Sequence, residues 1–101
     1  MAELRCTARR VGDLEGRTEE YELAFSADGA PAKTARVRYQ AARAYEINEA
    51  LDACVEAARR AIAGAGLDAR PTDEALSQFA WRAMQSAKYE GGSPKTSNLP
   101  L

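Results

Sequence analysis

The sequence predicts one α+β domain in the order β-β-β-α-α: a three-stranded antiparallel meander, a two-helix hairpin and a flexible C-terminal tail. Three observations lead there. Apolar residues alternate with period two in three segments up to Tyr39, they recur near every 3.6 residues afterwards, and turn-forming residues separate the segments. A chain of 101 residues suits a single core, assigned here to residues 1–92, with 93–101 (SPKTSNLPL) as the tail.

In the first segment Leu4, Cys6 and Ala8 share one face, and Arg5, Thr7 and Arg9 share the other. In the second, Tyr21, Leu23 and Phe25 alternate with Glu20, Glu22 and Ala24; in the third, Ala35, Val37 and Tyr39 alternate with Arg36, Arg38 and Gln40. Each is the pattern of a strand buried on one side. Gly12 to Gly16 (GDLEG) and Asp28 to Pro31 (DGAP) supply turn chemistry between them. Connections this short make neighbours antiparallel and put the second strand between the other two. One sheet face is then apolar. The other lays Glu20 and Glu22 between two arginine rows, a cross-strand charge ladder.

Beyond Tyr39, Ile47, Leu51, Cys54, Val55, Ala58 and Ile62 mark one face of an amphipathic helix. It begins either near Ala41 or at a cap on Asn48, and it stops at Gly64 or Gly66. Leu51 and Val55 are expected to be among its most buried residues, against Leu23, Phe25 and Val37. Pro71-Thr72-Asp73-Glu74 opens a second helix, with Thr72 as cap and acids in the first turn to match the helix dipole. Leu76, Phe79, Ala80, Ala83, Met84 and Ala87 form its apolar stripe, and Gly91-Gly92 ends it.

Composition narrows the function classes. The hydrophobic fraction is 46%, but much of it is alanine, and aromatics are only 7%. A core so poor in large side chains leaves homo-oligomerisation open as a source of stability. Charged residues make up 29% and nearly cancel, with a net charge of -1, which argues against non-specific binding to nucleic acid or membranes. No run approaches the roughly 20 apolar residues that span a bilayer, and the first ten residues, MAELRCTARR, lack an apolar leader. A cytoplasmic location follows as the expectation, with Cys6 and Cys54 reduced and buried as small apolar side chains. The preponderance of arginine and alanine suits a GC-rich bacterial or phage coding background.

Catalytic hypotheses find little to stand on. The chain has no histidine, its two cysteines lie in different segments, and no phosphate-cradling glycine loop or glycine-flanked serine occurs. The adjacent acids Glu19–Glu20 and Asp73–Glu74 are ordinary at a strand start and a helix N-terminus. The chain is therefore read as a non-enzyme, with no catalytic residue, metal or cofactor assigned.

Three surfaces are left as binding candidates. Glu46, Glu49, Asp52 and Glu56 form an acidic strip on the first helix, either simply solvated or shaped for a basic partner. The arginines of the open sheet face, Arg5, Arg9, Arg36 and Arg38, would touch DNA only if the glutamates between them did not repel phosphate. Trp81 lies well off the apolar stripe of its helix, so it either packs on a neighbour or serves as a contact residue. Tyr45 and Tyr89 are off-phase too and extend that patch.

The stretch AWRAMQSAKYEGGSP, Ala80 to Pro94, resembles the helix end of certain small phage-encoded anti-CRISPR proteins, which join strands to an Ala-rich helix and a Gly/Ser/Pro stop. That resemblance implies a stoichiometric inhibitor that binds a CRISPR effector complex and blocks target recognition. The expected function is thus a protein-binding module, with another protein as partner and Trp81, Glu46, Glu49, Asp52 and Glu56 as contacts, and the resemblance implies a phage or mobile-element inhibitor as its form. A nucleic-acid-binding domain using its sheet face and a self-assembling structural subunit are the alternatives.

Overall fold

The period-two and period-3.6 segments form the elements they predict, and one further strand joins them. The computed structural model describes residues 2–11, 18–89 and 94–101. In chain order the elements are β1 (Glu3–Arg10), β2 (Thr18–Ala27), β3 (Lys33–Gln40), α1 (Ala44–Gly64), α2 (Asp73–Tyr89) and β4 (Lys95–Pro100). They build a four-stranded antiparallel sheet in the order β3-β2-β1-β4, with α1 packed mainly over β3 and α2 over β1 and β4.

The alternation sets the sheet's two faces. Leu4, Cys6, Ala8, Tyr21, Leu23, Phe25, Val37 and Tyr39 are buried under the helices. Register follows, with Cys6 opposite Phe25, Ala8 opposite Leu23, and Tyr21 opposite Val37. The DGAP turn holds it: Asp28 and Gly29 both have positive φ (48° and 73°), and the Ala30 N–H donates to the Ala27 carbonyl at 3.0 Å. Two consecutive positive φ values are what a type I′ hairpin turn needs, and Asp-Gly is among the pairs that supply them. The GDLEG turn and the Gly91-Gly92 stop lie outside the described residues.

The tail is corrected. Residues 95–100 are not flexible chain but strand β4, paired with β1 so that Leu99 faces Leu4, Ser97 faces Cys6 and Lys95 faces Ala8. The Leu101 N–H continues the pairing to the Ala2 carbonyl at 3.0 Å. The segment KTSNLP has a single large apolar residue, too few to announce a strand by periodicity. The free edge of β1 forms the strand instead, by presenting a row of backbone donors and acceptors that β4 satisfies.

Side-chain and backbone groups both close the helix ends. Thr72 caps α2, its Oγ1 accepting the Ala75 N–H at 3.1 Å. At the end of α1 the Leu67 N–H reaches the Ile62 carbonyl (3.3 Å) and the Gly66 N–H the Ala63 carbonyl (3.0 Å), with Gly66 at φ 72°. That is a Schellman motif, in which glycine adopts the left-handed turn without a Cβ clash. The start of α1 falls between the two anticipated positions. No side chain caps it directly; the Glu46 carboxylate folds back instead to accept the Gln40 N–H at 3.0 Å.

The buried face of α1 is also corrected. Its innermost residues are Cys54, Ala58, Ala61, Ala57 and Ile62, with Val55 at 9% exposure and Leu51 only partly buried. The sheet's inner face already carries Tyr21, Leu23, Phe25 and Tyr39, so small side chains seat the helix best and Leu51 turns toward α2.

Two outcomes follow from this packing, both read by chemical denaturation. Leu23→Ala removes a fully buried side chain and costs about 2–5 kcal/mol, whereas Leu51→Ala costs about 1 kcal/mol because part of that side chain already meets water. Ending the chain at Pro94 deletes β4 and lowers the midpoint of unfolding; an unchanged midpoint would show that β4 contributes nothing.

Candidate functional site

Trp81 belongs to both the core and the surface. Its ring centroid lies 5.9 Å from that of Tyr39 at a tilt of 41°, and Tyr39 in turn stacks on Tyr21 at 6.1 Å and 17°. This aromatic chain runs from the buried sheet to the seam between the helices. The rest of the Trp81 ring lines a groove of about 320 Å³ with Ile47 and Leu51 from α1 and Ser77, Gln78 and Arg82 from α2. Trp81 thus packs on a neighbour, as one of its two readings has it, and also lines a groove. Truncating it would disturb Tyr39 as well as the groove, so Trp81→Ala is not a clean probe of binding.

The four acids of the predicted strip do not act together. Glu46 is committed to the β3–α1 connection, pairing with Arg43 at 3.4 Å besides holding the Gln40 N–H. Glu56 pairs with Arg60 one turn on. Glu49 and Asp52 are exposed, and no ion pair reaches either of them among the described residues. Asp52 sits beside Val55 and Arg59 where the seam continues past the apolar groove, and Arg59 is itself occupied by Asp73 and the Pro71 carbonyl. Tyr45, 58% exposed, hydrogen-bonds with Arg43 at 3.1 Å, and the Tyr89 side chain lies outside the described residues.

On the open sheet face the charge ladder is present. Arg9 pairs with Glu22 at 3.3 Å and Arg36 with Glu20 at 3.6 Å, while Thr7 and Thr96 hydrogen-bond at 3.2 Å. Arg5 borders a polar depression that also holds Glu3 and Asp28. Carboxylates beside these arginines offset the field that would draw phosphate.

Comparison with protein-family models, with curated proteins and with solved structures finds no match. Among the described residues no three His, Cys, Asp or Glu side chains gather in a way that would hold a metal ion, and no helix is long and apolar enough to cross a membrane.

One polar cluster went unnoticed in the sequence. Glu19 follows the inward phase of β2 and is 8% exposed. Its Oε2 accepts the Tyr21 hydroxyl at 3.0 Å and lies 3.4 Å from Arg10 Nε, and its Oε1 lies 3.6 Å from Lys88 Nζ. Burial first, and then the neighbouring Tyr39 and Glu19, push the Tyr21 hydroxyl well above the usual tyrosine range. One more step of the alternation would have found the pair: Arg10 continues Leu4-Cys6-Ala8, and Glu19 precedes Tyr21-Leu23-Phe25. The cluster ties the ends of β1, β2 and α2 together. Glu19→Gln leaves two cations without their carboxylate and is expected to cost about 2 kcal/mol, less than a deeply buried pair because Arg10 and Lys88 keep solvent access.

Cys6 and Cys54 are free and fully buried thiols. Burial pushes both up to about 12, with the Cys54 thiol adding to the effect at Cys6. Their native state should resist a thiol reagent near neutral pH and react twice once denatured. Because both values rise above the ordinary 9.0, the protonated thiols favour the folded state fully below pH 9, and this contribution is lost as pH climbs toward 12. Equilibrium unfolding measured across that range checks the sign.

Proposed function

We propose that this chain is a non-enzymatic protein-binding module that acts by surface complementarity, with the groove at Trp81 as its contact. The observation that carries the reading is the ring of Trp81, anchored by Tyr39 on one side and open to an apolar groove on the other. A large aromatic ring held rigid before binding loses little conformational entropy in an interface, and tryptophan is enriched where binding energy concentrates. Glu49 and Asp52 supply negative charge that no ion pair neutralises among the described residues, while Glu46 and Glu56 serve the fold. The likeness of Ala80–Pro94 to anti-CRISPR proteins gives this module one class of role, a stoichiometric inhibitor from a phage or mobile element that blocks a host effector complex.

Ser77→Arg provides the test, because it fills the groove from α2 while sparing Trp81 and Tyr39. Proteins retained by the immobilised chain from nuclease-treated lysate of its source organism are identified, purified and bound again one at a time. The expected result is a purified partner whose affinity falls on the order of tenfold or more with Ser77→Arg. Retention of every partner by that variant sinks the groove as contact. Tight binding to DNA or RNA that falls steeply with added salt overturns the functional class.

A further inference from the structure

Resting on the protein-binding reading, the geometry points to a specific partner chemistry: we infer that the α1/α2 seam receives an amphipathic helix carrying a bulky apolar side chain and, about one turn away, a lysine or arginine. Two neighbouring features of the seam lead there. At one end Ile47, Leu51 and Trp81 present apolar surface that neither helix covers. Along the same seam α1 then offers Asp52, beside Val55 and Arg59, and no ion pair among the described residues neutralises it; Glu49 lies one turn before it on the exposed face of α1. Of the cations nearby, Arg59 is engaged by Asp73 and Arg60 by Glu56, while Arg82, on the α2 wall of the groove, hydrogen-bonds to Gln78.

This adjacency of an apolar pocket and a carboxylate that no ion pair neutralises among the described residues selects one kind of occupant. A groove between two packed helices matches the ridge of a third, since side chains three and four residues apart in one helix interdigitate with those of its neighbours. Leu51 and Asp52 are adjacent in sequence, and the helical rise of 1.5 Å per residue keeps the pocket and the charge within one turn of each other. An anchor in the pocket therefore brings a side chain three or four positions along its own helix over Asp52. A carboxylate there would meet Asp52 at close range; an ammonium or guanidinium would be drawn in.

Trp81 is the only tryptophan, so its emission reports occupancy of the groove directly. Two synthetic helical peptides, free of aromatic residues, share one leucine stripe; one carries lysines a turn from the leucines and the other carries glutamates in their place. The lysine peptide is expected to give a saturable change in Trp81 emission with affinity on the order of tenfold above the glutamate peptide. In the Glu49→Gln/Asp52→Asn double variant that gap should shrink to about twofold, and added salt should narrow it in the wild type. Both substituted side chains are exposed, so folding is preserved and circular dichroism verifies it. Equal affinity for the two peptides, no saturable emission change with either, or an unchanged gap in the double variant overturns the inference. A purified protein partner lost with Ser77→Arg but indifferent to the double variant also overturns it while leaving the protein-binding reading intact. Failure of that reading shows separately, as partners that Ser77→Arg does not displace.

Discussion

The structure depends on how α1 sits on the sheet. Tyr21, Leu23, Phe25 and Tyr39 supply most of the bulk of the core from the strands, and the helix answers with Ala50, Cys54, Ala57, Ala58 and Ala61. Small side chains let a helix settle against a surface that already fills the available volume, and interiors tolerate neither voids nor overlap. The abundance of alanine, which makes the composition look weak, is thus the counterpart of an aromatic-rich sheet face. Cys6 and Cys54 play the same small-residue part, and their burial disfavours the thiolate.

That seating has consequences at the surface. With alanines facing the sheet, the larger apolar residues Ile47 and Leu51 fall toward α2, where they meet Trp81. Trp81 reaches Tyr39 from beside the apolar stripe of α2, so a ring packed on the core is also part of the groove. Core and candidate site are continuous, and the groove is lined in part by a ring that rests on the sheet. Polar chemistry divides in a similar way: Glu46 and Glu56 stabilise α1 and its connection, and Glu49 and Asp52 are left to face outward.

At the far end of the inner face the apolar alternation gives way to charge without changing phase. Arg10 and Glu19 occupy inward positions, and Lys88 comes from the last turn of α2. A carboxylate this buried requires partners, and it finds them on three different elements. The cluster joins β1, β2 and the C-terminal turn of α2, from which the chain goes on to β4.

Local periodicity determined the three hairpin-linked strands, the two helices, the Thr72 cap, the glycine stop of α1 and the inward phase of both cysteines, because each rests on residues close in sequence. The tertiary structure decided what distant segments settle between them. β4 exists because β1 offers a free edge, which no pattern within KTSNLP records. Leu51 leaves the core because sheet residues have taken its volume, and the acidic strip separates because Arg43, Arg60 and the Gln40 N–H claim two of its four members. Trp81 showed its off-phase position in the sequence, but only the placement of Tyr39, Ile47 and Leu51 around it makes that position a groove. A single-sequence pattern orders residues along one element, whereas a site is a meeting of several, and the volumes and charges already placed by the others select its geometry.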